Sequence, residues 1–308
     1  MSGSGALVLG SGANTGTVIL SGSNTYTGLT TVAVGTLKLG TTGGATNTPL
    51  GTTAAGTVVS DGATLDLNGY TLGTAEALTL NGLGVSSGGA LANTGVTSAT
   101  YSGLVTLGSA SSIVSTSDIV LSHTGTITGA YGLTLSGTGT GSSIASIIGT
   151  STGTLTKSGL GTWTLNGANT YTGSTTISSN GGVLQIGGSG QLGSGGSYAG
   201  AISLGSSGTL KYSSTAAQTF SGVISGTGNL TKDTGTSSIL TLSGTNTYTG
   251  VTTISAGTIS VSSLGNGGSS GNLGAATSVA SSILLDGGTL KYTGSATSTD
   301  RLFTIGAG

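Results

Sequence analysis

One short motif recurs along the chain and constrains the fold more than any other feature. The segment GANTYTG at residues 167–173 reappears as GTNTYTG at 244–250 and as GSNTYTG at 22–28. The tyrosines of these copies are separated by 145 and 77 residues, so one gap is close to twice the other. Recurrence at a regular step is the signature of repeat architectures. It predicts a further copy near residue 100.

The segment SATYSGLVTLG supplies that copy, with Tyr101 followed by Ser-Gly in place of Thr-Gly. The four tyrosines, Tyr26, Tyr101, Tyr171 and Tyr248, are then separated by 75, 70 and 77 residues. We therefore expect four superunits of about 74 residues each. Their approximate bounds are 1–80, 81–153, 154–228 and 229–308.

Within each superunit, apolar and polar residues alternate after the tyrosine turn. The apolar positions are Leu37, Leu39, Leu184, Ile186, Ile259 and Val261, and the polar positions between them are Lys38, Gln185 and Ser260. A period of two is that of half-buried β-strands, so we expect the apolar set to be buried and the polar set to be exposed. Trp163 also occupies an apolar strand position and is expected in the core. The one short helical candidate, residues 74–80, is assigned to strand or loop.

Short strands between Gly, Asn and Ser turns leave three architectures open: a sandwich, a propeller and a β-helix. A sandwich needs no regular repeat, and propeller blades repeat at about 40–50 residues. In a β-helix, each strand stacks on its counterpart one coil away, at about 4.8 Å. We therefore predict an all-β fold in which residues 1–308 form one continuous parallel β-helix, or solenoid.

In this fold the four tyrosine turns are corners. We expect the Asn of each turn to bond local backbone, the Gly to turn the chain, and the Tyr to cover the corner with its hydroxyl outward. Tyr26, Tyr101, Tyr171 and Tyr248 are expected to occupy equivalent corners, aligned along one edge about three coils apart.

The composition agrees with stacked coils. The chain has 63 Gly but only six Lys and Arg and seven Asp and Glu, with a net charge of −1. Recurrent tight turns require glycine. Like side chains stacked about 5 Å apart would repel if they were charged, so uncharged outer faces avoid that cost. Apolar residues make up 34% of the chain, which argues against disorder.

Several classes of protein are excluded. The chain has no Cys, so disulfides and thiolate metal sites are ruled out. No run approaches 18 apolar residues, and no basic stripe is present, so we expect neither membrane insertion nor nucleic-acid binding. The first ten residues, MSGSGALVLG, lack the basic and apolar regions of a secretory signal.

The segment GTWTLNGANTYTGSTTISSNGGVLQIG, with LTKSG before it and GTLKY after it, closely resembles the autotransporter-associated β-strand repeat of large bacterial surface proteins. The resemblance extends over nearly the whole chain. It implies a right-handed parallel β-helix passenger segment, exported and located at the bacterial cell surface or outside the cell. The signal peptide and membrane β-barrel that usually accompany this repeat are not seen in the sequence. The family has no shared catalytic motif.

The ionisable residues form no obvious catalytic set. The acids are Asp61, Asp66, Glu76, Asp118, Asp233, Asp286 and Asp300. Asp61 and Asp286 precede strands and are expected to stabilise turns. Asp118 and the single His, His123, are five residues apart and would lie on opposite faces of one strand. Lys211 and Lys291 are expected to be solvated. We predict no catalytic residue, metal site or cofactor.

Three functions remain. We expect a non-enzymatic structural rod, serving as a stalk or adhesin passenger segment, with other cell-surface components as partners. The alternative is the subunit of a filament, in which open β-helix ends associate end to end. Its contact residues would be Leu7, Leu9, Leu302, Phe303 and Ile305, within ALVLG and FTIGAG (303–308). The remote alternative is an enzyme acting on polysaccharides.

Overall fold

The fold is described by a computed structural model over residues 1–10, 12, 16–235 and 238–306. It divides into two compact units, Met1–Gly153 and Thr154–Gly308. Each unit is a parallel β-solenoid, in which the strands of one coil pair with counterparts one coil later. The prediction of an all-β parallel solenoid is confirmed. The division into four superunits stays a prediction.

The described strands of the first unit are, in chain order, β1 (Leu7–Leu9), β2 (Thr17–Leu20), β3 (Thr30–Val32), β4 (Gly35–Leu39), β5 (Thr57–Val59), β6 (Ala63–Asp66), β7 (Leu78–Gly82), β8 (Leu91–Asn93), β9 (Ala99–Tyr101), β10 (Val105–Ser115), β11 (Ile119–Leu121), β12 (Thr126–Ile127), β13 (Leu133–Gly137), β14 (Ser142–Ile144) and β15 (Ile147–Ile148). A 3₁₀ helix, Val85–Ser87, lies between β7 and β8.

These strands form parallel ladders. The first ladder runs β1, β3, β5, β7, β10, and the second runs β2, β4, β6, β8, β10, β13. A third contains β9, β11 and β14, and β12 pairs with β15. The 11-residue β10 joins the first two ladders, because its first residues, 105–107, pair with β7 and its last residues, 113–115, pair with β8. Residues 74–77 form neither helix nor strand, and residues 78–82 form β7, as predicted.

The described strands of the second unit are β16 (Leu155–Lys157), β17 (Thr162–Leu165), β18 (Thr175–Ile177), β19 (Val183–Ile186), β20 (Ser197–Tyr198), β21 (Ile202–Leu204), β22 (Thr209–Tyr212), β23 (Gln218–Phe220), β24 (Ile224–Gly226), β25 (Asn229–Lys232), β26 (Ile239–Leu242), β27 (Thr252–Ile254), β28 (Thr258–Val261), β29 (Ile283–Leu285), β30 (Thr289–Tyr292) and β31 (Thr304–Ile305). Two 3₁₀ helices, Ser194–Gly196 and Ala280–Ser282, accompany them.

The second unit has three parallel sheets that the chain visits in turn. Sheet A contains β16, β18, β21 and β24. Sheet B contains β17, β19, β22, β25, β27, β29 and β31, and sheet C contains β20, β23, β26, β28 and β30. From β20 to β26 the order is C, A, B repeated, so each full circuit adds one strand to every sheet.

The core follows the predicted alternation. The six apolar residues expected inside, Leu37, Leu39, Leu184, Ile186, Ile259 and Val261, are all buried, and Trp163 is fully buried as predicted. Burial of one such side chain stabilises the fold by about 1.5–3 kcal/mol.

The polar residues between them are less exposed than expected. Lys38 and Gln185 are half-buried. Ser260 was expected to be exposed, and this is wrong, because only 8% of it is accessible. Ser260 pairs with Thr241 on one side and with Lys291 on the other. Its side chain is short, so these larger neighbours on the same outer face cover it.

The sequence repeat and the coil do not coincide in the second unit. The strands around the Tyr171 turn, β17, β18 and β19, lie in sheets B, A and B, whereas those around the Tyr248 turn, β26, β27 and β28, lie in sheets C, B and C. Three coils lead from Thr175 through Ile202 and Ile224 to Thr247, whose amide donates to the Ile224 carbonyl at 2.8 Å. The equivalent of Thr175 is Thr252, one sheet further on. From one copy of the sequence repeat to the next, the chain therefore completes three full coils and then moves on by one further sheet.

The alternation yields a direct test in sheet B. Leu230 is fully buried, whereas its neighbour Thr231 is half-buried on the outer face. Leu230→Ala is expected to lower the free energy of unfolding by about 2–5 kcal/mol, because it leaves a cavity between paired coils. Thr231→Ala should change it by about 0.5 kcal/mol or less. Chemical denaturation followed by circular dichroism measures both, and equal losses would contradict the assignment of inner and outer faces.

Candidate functional site: the tyrosine corners

Each Asn-Thr-Tyr-Thr-Gly corner is tied to a later segment of the chain by its asparagine. The side-chain amide of Asn24 donates to the Pro49 carbonyl at 2.8 Å. Asn169 donates in the same way to Gln191 at 2.9 Å, and Asn246 donates to Asn272 at 2.7 Å. These bonds span 25, 22 and 26 residues. The asparagine was expected to bond local backbone, but it also joins separate coils.

The tyrosine hydroxyls point inward, and the expectation that they face outward is wrong. Tyr26, Tyr171 and Tyr248 are at most 3% exposed. Their hydroxyls bond the Thr four residues later, with oxygen separations of 2.6 Å to Thr30, 2.8 Å to Thr175 and 2.7 Å to Thr252. A buried hydroxyl requires such a partner, and the threonine provides it from the first inward position of the next strand.

Burial also removes these phenols from acid–base chemistry. It raises the pKa of Tyr248 to about 12, with the Thr252 hydrogen bond acting in the opposite direction. Burial likewise raises the pKa of Tyr26, and it raises those of Tyr101 and Tyr171 well above the ordinary value. The corner tyrosines are therefore uncharged structural groups.

Tyr101 departs from the other corners. The residue four positions later is Val105 in place of Thr, and the Tyr101 hydroxyl instead donates to the Glu76 carbonyl at 2.9 Å. Tyr101 ends strand β9, whereas the other three tyrosines lie outside strands. The residue two positions before Tyr101 is Ala99, where the other corners have asparagine, so this corner has no equivalent asparagine bond.

The corners do not all lie along one edge. In the first unit, Tyr26 and Tyr101 both precede the first ladder by four residues and are three pairings apart, through Thr30, Thr57, Leu78 and Val105. In the second unit, the Tyr171 ring packs beside that of Tyr198 in sheet C, with 5.5 Å between centroids. Tyr248 instead donates its amide to Ile224 in sheet A. The predicted alignment is therefore wrong for Tyr171 and Tyr248.

A second motif, which the sequence pattern did not predict, completes the three Asn-Thr-Tyr-Thr-Gly corners. The segments Pro49-Leu50-Gly51, Gln191-Leu192-Gly193 and Asn272-Leu273-Gly274 supply the carbonyls that the three asparagines bind. Each central leucine is buried. The shared x-Leu-Gly pattern was available in the sequence, but its distance from the asparagine varies, so a search at equal steps does not find it.

At two of these three motifs, the glycine leaves room for the ring of the corner tyrosine. Gly51 and Gly274 have φ of +94° and +73°, a region that L side chains rarely adopt. A Cβ at Gly51 would lie 2.9 Å from Tyr26 Cε2, and one at Gly274 would lie 2.9 Å from Tyr248 Cδ1. Glycine is therefore required at both positions.

Two lysines near the corners are buried. Lys157 and Lys232 end strands β16 and β25 with no exposed surface. The Lys157 Nζ donates to the carbonyls of Ser158, Gly159 and Gly181, each at 2.7 Å. Burial lowers the pKa of Lys157 to about 8, so the ammonium is still charged at neutral pH. The Lys232 Nζ donates to the Thr234 carbonyl and lies 5.5 Å from the Tyr212 ring centroid. Both lysines hold turns together.

Two ion pairs lie on the outer faces, one in each unit. Lys38 and Asp66 are paired across β4 and β6, 3.3 Å apart, and Thr94 donates to the same carboxylate. This pair lines a cavity of about 290 Å³ beside the 3₁₀ helix Val85–Ser87. Lys211, expected to be solvated, instead contacts Asp233 at 2.6 Å. Burial opposes ionisation of Asp233, but hydrogen bonds from Lys211 and Ser213 lower its pKa below the ordinary value.

Asp118 and His123 each bond a turn. Asp118 accepts the Gly141 amide at 2.7 Å, and His123 Nδ1 accepts the Gly125 amide at 2.8 Å. The two side chains thus bond separate turns. Lys291 is exposed as expected. Among residues 1–10, 12, 16–235 and 238–306, no group of three or more His, Asp and Glu is placed to hold a metal ion.

The residues proposed for end-to-end contact differ in exposure. Leu9 is only 7% exposed, whereas Leu302 and Ile305 are 60% and 80% exposed. Leu7 and Phe303 are half-buried. Residues 307 and 308 of the FTIGAG segment lie outside the described residues. End-to-end association stays a prediction.

The corner geometry coincides with a known repeat. A family model described as the passenger-associated-transport-repeat matches residues 15–39, 155–186 and 234–261. These three matches contain the corners of Tyr26, Tyr171 and Tyr248, and they exclude Tyr101. The chain is therefore a parallel β-solenoid that carries passenger-associated-transport repeats, which confirms the resemblance seen in the sequence.

The chain is also similar to one large curated protein, the adhesin BmaC autotransporter of Brucella suis biovar 1 (strain 1330). The two are 33% identical over an alignment 315 residues long, which covers 94% of this chain and 8% of the relative. The chain thus spans a small fraction of that relative's length. The repeats and this relative indicate a passenger segment of a surface or secreted protein. No solved structure matches the chain at a significant level.

Within the part of the chain that the structure describes, no helix has the length and apolar character needed to span a membrane.

The tyrosine–threonine bonds predict unequal losses on removal of a hydroxyl. Tyr248→Phe removes the hydroxyl that bonds Thr252 and should lower the free energy of unfolding by about 1 kcal/mol. Tyr171→Phe should have a smaller effect, because Thr175 also bonds the Tyr198 hydroxyl at 2.8 Å. Urea denaturation of the two variants measures the difference. A larger loss for Tyr171→Phe would contradict this account of the corners.

The buried lysine predicts a larger effect than an exposed one. Lys157→Met keeps an apolar side chain of similar length but leaves three carbonyls without their donor, so the free energy of unfolding should fall by roughly 2–4 kcal/mol. The control Lys211→Met removes an outer ion pair and should cost less than about 1 kcal/mol. Denaturation at pH 7 checks both values, and similar costs for the two variants would argue against the turn-holding role of Lys157.

Proposed function

We propose that this chain is a structural passenger segment of a bacterial surface adhesin, in which the solenoid itself presents the adhesive surface. The observation that supports this most strongly is that its polar and charged side chains are engaged in bonds within the fold. The corner tyrosines and asparagines, the buried lysines and the outer ion pairs all bond neighbouring coils or turns. The ionisable side chains of these groups are thereby committed to holding the coils together.

Adhesion is proposed on the basis of the relative and of the outer faces. The relative's name describes an adhesin, and this chain aligns with it over 94% of its length. The outer faces carry rows of hydroxyls, for example Thr176, Ser203 and Ser225 on successive strands of sheet A. Rows of hydroxyls at strand spacing offer many weak hydrogen bonds, and many such bonds together give avidity.

We further propose that the segment is not an enzyme and is displayed outside the cell. Hydrolysis of polysaccharides needs two carboxyl groups flanking one bond. Asp118, Asp233 and Asp66 are each engaged with a different turn or lysine. Incubation of the purified chain with acidic and neutral polysaccharides should release no reducing ends. Release that is lost in Asp118→Asn would overturn this part of the proposal.

Surface display tests the adhesive role. The chain is placed between a signal peptide and an outer-membrane anchor in a non-adherent bacterium, and adherence to epithelial cells is counted. We expect adherence several-fold above that of cells displaying an unrelated β-solenoid of similar length. A variant that carries both Gly51→Val and Gly274→Val should lose adherence, because each substitution drives a side chain into a corner tyrosine. We expect this variant to remain on the surface.

Antibody labelling of intact cells and resistance to protease report display and folding separately from adherence. Wild-type chain that is displayed and protease-resistant, yet adheres no better than the unrelated solenoid, would contradict the adhesive role. It would leave the segment as a stalk.

A further inference from the structure

The interior of the first unit contains a carboxyl group that the corners do not explain. Glu76 precedes β7 by two residues and has no exposed surface. Its Oε1 accepts a hydrogen bond from the Thr57 hydroxyl at 2.5 Å. Its Oε2 is buried and has no hydrogen-bond partner among the described residues, and the same is true of the nearby Thr74 hydroxyl. A buried carboxylate with one free oxygen is costly when charged.

The groups that face Glu76 belong to three other coils. Thr57 comes from β5, which pairs with β3 through Thr30, and Thr30 bonds the Tyr26 hydroxyl. From the opposite side, the Tyr101 hydroxyl bonds the Glu76 carbonyl. Glu76 thus lies in a polar cluster that links the segments of Tyr26, Thr57 and Tyr101.

Among the residues that the structure describes, none places a positive charge in this cluster. The titratable groups that face Glu76 are Tyr26 and Tyr101, and both are neutral phenols. The two ion pairs of the described residues, Lys38–Asp66 and Lys211–Asp233, do not include Glu76. Asp66, the other buried acid among the described residues, has its lysine. An ionised Glu76 would therefore be compensated by the Thr57 hydroxyl alone.

We propose that Glu76 is a pH-sensitive latch of the first unit: as the neutral acid it closes the coils around Tyr26, Thr57 and Tyr101, and its ionisation loosens them. An acidic medium then tightens this unit, and a neutral to alkaline medium opens it.

The direction of the effect follows from proton linkage. Burial raises the pKa of Glu76 from 4.5 to about 7, with the Thr57 hydrogen bond acting in the opposite direction. The folded unit therefore holds a proton that the open form releases between these values. The stabilisation is fully present below pH 4.5 and is lost as the pH rises through 7. A shift of this size changes the opening equilibrium by roughly two orders of magnitude.

The two units should differ in this respect. The acids of the second unit, Asp233, Asp286 and Asp300, are half-buried or exposed. The chain has a single Trp, Trp163, and it is buried in the second unit. Its fluorescence therefore reports that unit separately and serves as an internal control.

The test is hydrogen exchange of the whole chain at pH 5 and pH 8, read by mass spectrometry and corrected for intrinsic rates. Peptides covering residues 26–32, 57–60, 74–80 and 99–105 should lose protection by tenfold or more at pH 8. Peptides covering residues 197–204 of the second unit, which contain no acid, lysine or histidine, should change little, and the Trp163 fluorescence signal should be the same at both pH values.

Three variants isolate the carboxyl group. Glu76→Gln keeps the shape without the charge and should show protection at pH 8 equal to that at pH 5. Asp61→Asn removes an exposed acid of the same unit, and His123→Asn removes its histidine but keeps a side-chain acceptor. Both should retain the wild-type dependence on pH.

Wild-type protection that is the same at both pH values would overturn the proposal, whatever the variants do. So would a pH dependence that persists in Glu76→Gln or disappears in His123→Asn. If Glu76→Gln does not fold, the wild-type comparison between the two units and the His123→Asn variant still decide the outcome.

Discussion

Parallel pairing of each coil with the next is the interaction on which the rest of the structure depends. A strand of three to five residues has too few hydrogen bonds to be stable alone, so each strand exists because its neighbours are in register. Register is kept where the chain turns. The asparagine of one corner bonds a carbonyl 22–26 residues later, and a leucine beside that carbonyl enters the core. The corners therefore fix the register that the short strands require.

Much of this fold could be predicted from the sequence. Alternation identified Leu37, Leu184 and Ile259 as interior residues because strand geometry places every second side chain on one face. It failed at Ser260, because exposure also depends on the size of neighbours one coil away, which a single strand does not show. The inward tyrosine hydroxyls were missed for a related reason. Their hydrogen-bond partner is a threonine, and within a single strand a threonine has only the features of an ordinary β-former.

The candidate site was less predictable than the fold. The lysine–carbonyl contacts of Lys157 and the isolation of Glu76 depend on residues from different coils. Their sequence separations vary from 1 to 25 residues, so no fixed spacing signals them. Buried ionisable groups are expensive unless they are paired or neutralised. Lys157 meets this requirement with three carbonyls, whereas at Glu76 burial raises the pKa to about 7 and so favours the neutral acid. The same constraint thus has two solutions in one chain.

The mismatch between repeat and coil has a consequence for how such a chain can change in length. In the second unit, one repeat advances the chain by three coils and one sheet. Duplication or deletion of a single repeat would therefore turn every residue that follows it onto a different side of the solenoid, and three such events would restore the original direction. A binding patch beyond the event would face elsewhere although its own sequence had not changed. The number of repeats in this type of solenoid thus sets the side on which a later patch faces, as well as the length of the solenoid.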